Sequence, residues 1–318
     1  MAVLSAERKT QRKPPIAEAV RAAARRDTRN RWLLSAPALV ILTLAAVGPL
    51  AIVLAYSFLT KGDYGGVTWR FSPDAWFNVV LERDVFDGTL GFADAHLAIF
   101  WRSVRLSLAT TALALVFGFP TAYFIATRPE RQRDLWLFLV TIPFWTNLLV
   151  RNYAWILMLR SGGLLDSALQ GLGLTTGSLN LMYTETAIAI GLTYSFLPFM
   201  VLPIYSSLEK LDFRLVEAAY DLGADKWRAL RRIVIPLAMP GIAAGAILVF
   251  IPCLGAYVTP DLLGGSKSMM IGNLIQNQFG SARNWPFGAA LSFALLAVVL
   301  LAMMLYLIRF RGAPQVAK

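Results

Sequence analysis

Six stretches of this chain contain no Asp, Glu, Lys or Arg: 33–60, 106–127, 135–150, 186–208, 233–260 and 284–308. Together they make up nearly half of its 318 residues. A helix needs roughly 20 mainly apolar residues to cross the hydrocarbon core of a bilayer, within a range of about 17–25. Runs of this length exclude a soluble enzyme, and they lack the apolar–polar alternation of a transmembrane β-barrel. Composition agrees: only 15% of residues are charged, against about a quarter in soluble domains. The third run meets Arg151 and then continues through Tyr153, Trp155 and Leu159. The expectation is an all-α membrane protein with six transmembrane helices, at about 33–60, 106–127, 135–159, 186–208, 233–260 and 284–308. Arg151 would lie roughly 24 Å above Leu135, near the outer interface, where its head can snorkel to water.

The positive charges orient these spans. Residues 1–32 form a basic tail with Arg8, Lys9, Arg12, Lys13, Arg21, Arg25, Arg26, Arg29 and Arg31, which places the N-terminus in the cytoplasm. Six crossings return 311–318, with Arg311 and Lys318, to the same side. Arg128, Arg131 and Arg133, and the basic residues of 209–232, also fall inside. The first external loop, 61–96, carries Asp63, Asp74, Glu82, Asp84, Asp87 and Asp94 against three basic residues. The net charge of +11 therefore reflects topology and anionic lipid, not nucleic acid. The Ala-rich stretch 16–26 fits either a short surface helix or a disordered segment. Residues 167–184, rich in Gly, Ser, Thr and Asn, are expected to be an external loop.

Chemistry-bearing residues are scarce. Cys253 and His96 are single, so neither a disulfide nor a cysteine- or histidine-based metal site can be assembled within the chain. No metal ligands are assigned. The first apolar run follows a long polar tail and exceeds a signal-peptide core, so it is read as an uncleaved span.

The loop between the fourth and fifth runs, 209–232, is the most informative segment. Asp212 is placed to cap a short helix, Gly223 to end it in a left-handed conformation, and Asp225 to cap a second helix running towards Pro236. Val216, Ala219 and Leu222 would pack back on the bundle. Helix spacing alone fits an ordinary amphipathic connector equally well. The full pattern is more specific: Glu217-Ala218-Ala219, three residues, Gly223, nine residues, then Ile233-x-x-Pro236. It resembles the "EAA" coupling motif of ABC importer permeases, with Ile235 where that family usually has Leu. Residues 143–155, 255–265 and 284–288 are similar to the spermidine/putrescine-type permeases. The likeness covers roughly 33–310 and is closest to the first of the two permease subunits in such systems.

The resemblance implies a type I ABC importer permease fold in the cell inner membrane. It implies no cofactor bound by this chain: ATP and Mg would belong to a cytoplasmic ATPase dimer. The chain agrees in lacking a G-x-x-x-x-G-K-[ST] loop; Gly264-Gly265-Ser266-Lys267-Ser268 lacks the spacing. A second permease, which the family favours as a paralogue, and an external solute-binding protein complete the implied partners. Closure of the ATPase would rock the bundle between inward- and outward-open states, with Glu217 anchoring the coupling helix. Outside, Ser72-Pro73-Asp74-Ala75-Trp76 predicts a short helix with Ser at the cap and Pro at its first position, a candidate docking element.

The translocation path is expected near the proline-interrupted spans four and five, which contain Pro198, Pro203, Pro236, Pro240 and Pro252. Backbone freed by such breaks is tolerated beside protein or a wet cavity. Asn147, Arg151 and Trp155 share one helical face. With Tyr153, Tyr194, Tyr257 and Asp261 they form the candidate path; the aromatics alone would also fit an interfacial belt. Gly241 and Gly245 read as a close-packing face. A polyamine, the lead substrate by resemblance, would favour carboxylates and aromatic faces. This chain offers aromatics but no acid at the centre of a span, so either a partner supplies the acids or another small organic solute is carried. An ion-coupled six-span transporter would want an ionisable residue deep in the membrane. A membrane-embedded enzyme would want clustered His, Asp or Glu. Neither pattern is present.

Overall fold

A computed structural model describes residues 16–83, 90–175 and 177–310 of the chain. Residues 1–15, Asp84, Asp87 and the 311–318 tail, to which topology roles were assigned above, lie outside the described residues. Two compact units divide between Ala55 and Tyr56.

The first unit is built from helix α1 (Ile16–Ser57). The Ala-rich stretch 16–26 is helical and continuous with the first apolar run. Among the described residues, five helices are long and apolar enough to cross a membrane, beginning with Leu34–Ser57 in α1.

The second unit starts with two small antiparallel ladders, which the all-α expectation omitted. β1 (Leu59–Lys61) pairs with β2 (Val67–Phe71), Lys61 facing Val67 across a turn through Gly65 and Gly66. β3 (Leu81–Arg83) pairs with β4 (Leu90–Phe92). β-branched and aromatic residues in 67–71 favour the pleated form. Between the ladders lies α2 (Asp74–Val80), one residue later than expected. Ser72 Oγ accepts the Asp74 amide at 3.1 Å, so Ser72 still serves the free end of the helix, with Pro73 just outside it.

The remaining long helices are α3 (Asp94–Ala126), α7 (Glu185–Leu208), α10 (Ile235–Leu254) and α13 (Trp285–Phe310). α7 is the centre of the unit: 61% of its most apolar window is buried, against 28% for each of the other three. Ala114, Ala122 and Ile125 of α3, Met200, Val201 and Ile204 of α7, and Val249 of α10 form the main core. Small residues permit this closeness. A Cβ on Gly241 would strike the Pro203 carbonyl, and one on Gly245 would sit 2.9 Å from Met200 Sδ. The glycine pair is thus a packing face between α10 and α7.

The third apolar run departs from one straight span. It is split into α4 (Glu130–Trp145) and α5 (Leu148–Leu159), separated by Thr146 and Asn147. The fifth run also stops early. α10 ends at Leu254, residues 255–257 are non-helical, and α11 (Val258–Gly264) follows. Hydropathy windows cannot detect either break because the residues flanking it remain apolar.

Outside the spans, α6 (Leu164–Gly171) takes up the first part of the expected 167–184 loop. Its Asp166 ties the rest: Oδ2 accepts the Gly162 amide at 2.9 Å and Oδ1 the Leu179 amide at 3.2 Å. These bonds, the one from Gly162 foremost, hold the carboxyl below its ordinary range because they stabilise the charged form. α12 (Ile271–Phe279) packs on α13 through Ile271, Leu274, Phe287 and Leu291.

A coupling loop and a half-open cavity

The 209–232 loop folds as two short helices, α8 (Arg214–Asp221) and α9 (Lys226–Ala229). Asp212 Oδ1 accepts the Arg214 amide at 3.0 Å, and Asp225 Oδ1 accepts the Arg228 amide at 2.6 Å. Between them Gly223 adopts φ +80°, a left-handed conformation costly for most side chains. The Ala224 amide reaches back to the Ala219 carbonyl at 2.9 Å. After α9, Leu230–Val234 form a wide π turn in which the Ile235 amide bonds to the Leu230 carbonyl. Pro236 follows directly; it lacks an N–H, and its ring crowds the preceding turn.

The loop is anchored on one face and open on the other. Val216 and Ala229 are buried, while Ala219, Leu230 and Ile233 pack against the core. Leu222, expected to join them, is 88% exposed, because it lies past the last helical residue of α8 and so leaves that helical face. Trp227 is 77% exposed. Glu217, Ala218 and Pro236 are exposed too, and the Glu217 carboxylate makes no ion pair among the described residues.

The second feature is a half-open cavity of about 320 Å³. Both helix breaks border it: Phe144, Leu148 and Arg151 come from α4 and α5, and Pro252, Gly255, Ala256, Tyr257, Val258 and Thr259 from α10, α11 and the turn between them. Leu192, Ser195, Phe196 and Phe199 of α7 close the third side. Phe144 meets Phe199 edge-on with centroids 5.3 Å apart. Tyr257 is held through its carbonyl, which accepts from Asn273 Nδ2 at 2.8 Å.

The seven expected path residues separate here. Arg151 and Tyr257 line the cavity. Asn147 caps α5, its Oδ1 accepting the Leu149 amide at 2.8 Å. Trp155 and Tyr194 meet edge-on at 5.6 Å, joining α5 to α7. Tyr153 and Asp261 are exposed and are not among the cavity-lining residues. Arg151 does not simply reach to solvent: its Nε and Nη1 are buried and without hydrogen-bond partners among the described residues. Phe144, Phe196, Phe199, Ser195 and Thr259 were not picked out from sequence. The available signal was that Phe196 and Phe199 flank Pro198 in a span already marked as proline-interrupted.

Residues 114–312 match the family described as binding-protein-dependent transport system inner membrane component. The "Spermidine/putrescine transport system permease protein PotB" of Escherichia coli (strain K12) is 41% identical over 258 residues, covering 81% of this chain and 90% of that protein. The protein of the same name from Haemophilus influenzae is 38% identical over 81% of this chain and 86% of its own length. The "Inner membrane ABC transporter permease protein YdcU" of Escherichia coli (strain K12) is 32% identical over 86% of this chain and 90% of that one. Among solved structures, a chain of a bacterial alginate ABC transporter, in complex with an alginate pentasaccharide-bound periplasmic protein, superposes with TM-score 0.64. It is 19% identical, covers 88% of this chain and 94% of its own, and shares the fold. The chain belongs to the binding-protein-dependent permease family; it is an inner-membrane transport component and not an enzyme.

Proposed function

We propose that this permease forms one half of the translocation path of an ATP-driven importer for polyamines of the spermidine/putrescine class. An external binding protein delivers the solute, a second permease completes the path, and a cytoplasmic ATPase dimer holds ATP and Mg. The topology in this reading is six spans with both termini in the cytoplasm. α4 and α5 together act as the third span, since 130–159 covers about 45 Å at 1.5 Å per helical residue, more than the ~30 Å hydrocarbon core. The substrate class follows the names of the relatives at 38–42% identity. Another small organic solute is the alternative for the same permease.

The observation that carries the reading is the coupling loop. An exposed Glu217, without an ion pair among the described residues, and exposed Leu222 and Trp227 belong to a helix pair and its connecting turn, whose opposite face is buried in the bundle. This surface suits a groove that offers both a cation and apolar contact. Glu217→Arg reverses the charge at an exposed site and leaves the buried face intact. In proteoliposomes containing the complete transporter, it should abolish ATPase association and lower putrescine uptake at least tenfold. Normal association and normal uptake in that variant would refute the coupling assignment.

A further inference from the structure

The cavity contains a charge that this chain does not balance. Arg151 enters from the first turn of α5, with Nε and Nη1 enclosed and unpartnered among the described residues. The surrounding wall includes Phe144, Leu192, Phe196 and Phe199. A guanidinium stays protonated at any physiological pH, so burial cannot be relieved by losing the charge. Removal of a charge from water is offset only by a close opposite charge with good geometry. No acidic residue lines the cavity among the described residues. Glu185 is engaged elsewhere, with Arg102 at 3.4 Å and with Arg105, and Asp261 is exposed and is not among the lining residues.

No described residue supplies the missing anion, and the donor geometry says which kind fits. The guanidinium edge is a planar fork that matches the two oxygens of a carboxylate. Ser195 and Thr259, also in the wall, add hydroxyls able to bind an oxygen. A volume of about 320 Å³ lies at the lower end of the range for small-molecule sites, about 300–1,000 Å³. We infer that Arg151 receives a carboxylate in this cavity, carried either by the solute or by a side chain of the second permease. The inference rests on the permease reading but not on the polyamine assignment. A carboxylate from the second permease has lone pairs to spare for an ammonium group, which reconciles Arg151 with a cationic solute. A carboxylate on the solute means an amino-acid-like cargo instead.

The test uses the complete transporter with Arg151→Met, which keeps length and apolar bulk, and Arg151→Lys, which keeps the charge without the fork. Intact complex recovered in normal yield establishes folding for each. Putrescine uptake is measured with and without ornithine, the same diamine bearing a carboxylate, as competitor. If the solute carries the anion, Arg151→Met weakens ornithine competition at least tenfold and more than it lowers putrescine uptake, and Lys restores part of it. If the second permease carries it, Arg151→Met lowers putrescine uptake at least tenfold, and Lys, which keeps the charge, restores part of it. Putrescine uptake and ornithine competition both within twofold of wild type in Arg151→Met would overturn the inference. A wild-type assembly with no ATP-dependent uptake of either compound would instead refute the polyamine assignment. In that event the unfolding midpoint decides: either glutarate raises that of the wild-type complex and not that of Arg151→Met, or Arg151→Met itself lowers it by leaving the second permease's carboxylate unpaired. The absence of both changes would overturn the carboxylate assignment independently.

Discussion

The coupling loop and the cavity are incomplete in opposite senses. The loop leaves apolar surface in water: Leu222 and Trp227 are 88% and 77% exposed on helices otherwise rich in charge. The cavity leaves a cation in an apolar wall, with two nitrogens of Arg151 unpartnered. Each misfit identifies the chemistry of its complement, an apolar groove for one and an anion for the other. In the reading proposed above, the cost in each region is met from outside this chain, and by different chemistry. A third polar group gives the control: Asp166 is satisfied by amides of its own loop and calls for no partner.

After the charge reversal at Glu217, the largest expected effect is at Trp227. Exposed aromatics that become buried in an interface commonly contribute 2 kcal/mol or more, about thirtyfold in affinity. Trp227→Ala should weaken binding of the purified ATPase by that order, measured as a dissociation constant, with ornithine competition unaffected. Undiminished ATPase affinity would break the comparison, since the exposed ring would then have no complement. Gly223→Val should come next. A β-branched residue at φ +80° carries strain of about 1–3 kcal/mol, which would tilt α8 against α9 and reduce solute-stimulated ATP hydrolysis roughly tenfold.

The smallest effect is that of Asp166, and it sharpens the contrast by staying internal. Its carboxyl is held below the unfolded value of about 3.9. Its contribution is therefore complete above that value and is lost as pH falls through the lower folded one. Protection of the Gly162 and Leu179 amides, taken against their intrinsic exchange rates at each pH, should be steady from pH 8 to 5 and fall only below about 4; that loss is the acid-specific rise in exchange. In Asp166→Asn this acid-specific rise should vanish; the same rise in both proteins would contradict the assignment.

What could be seen from sequence follows the range of the forces involved. The coupling loop was legible because its signals are local: Asp212, Gly223 and Asp225 act on amides or dihedrals within three residues. The burial of Gly241 and Gly245 was legible for a similar reason, one helical turn repeated. The helix breaks were not. α4 ends two residues after Pro143 and α10 two residues after Pro252, yet Pro120, Pro198, Pro203 and Pro240 sit inside unbroken helices. A proline weakens every helix it enters, but tertiary packing decides which ones open. Arg151 was seen as a residue, but the enclosure of its Nε and Nη1 was not, since sequence spacing gives depth along a helix and not the packing around a side chain. Tyr153 and Asp261, grouped with it by type and depth, fall elsewhere because depth along an axis does not fix which face a side chain takes.

The wide turn at Leu230–Val234 joins the coupling helices to α10 and gives that joint a property neither neighbour has. It holds one residue more than an α-helical turn would, a reserve of chain stored inside a helix. Were that turn to tighten to α-helical bonding, α9 would advance by about 1.5 Å and rotate by about 100° relative to α10, the increments of one helical residue. Such a change would rotate α9 without unwinding the membrane helix. In mechanical language the π turn is a gear tooth, and Pro236, which cannot donate the next hydrogen bond, keeps it from slipping upward into the span.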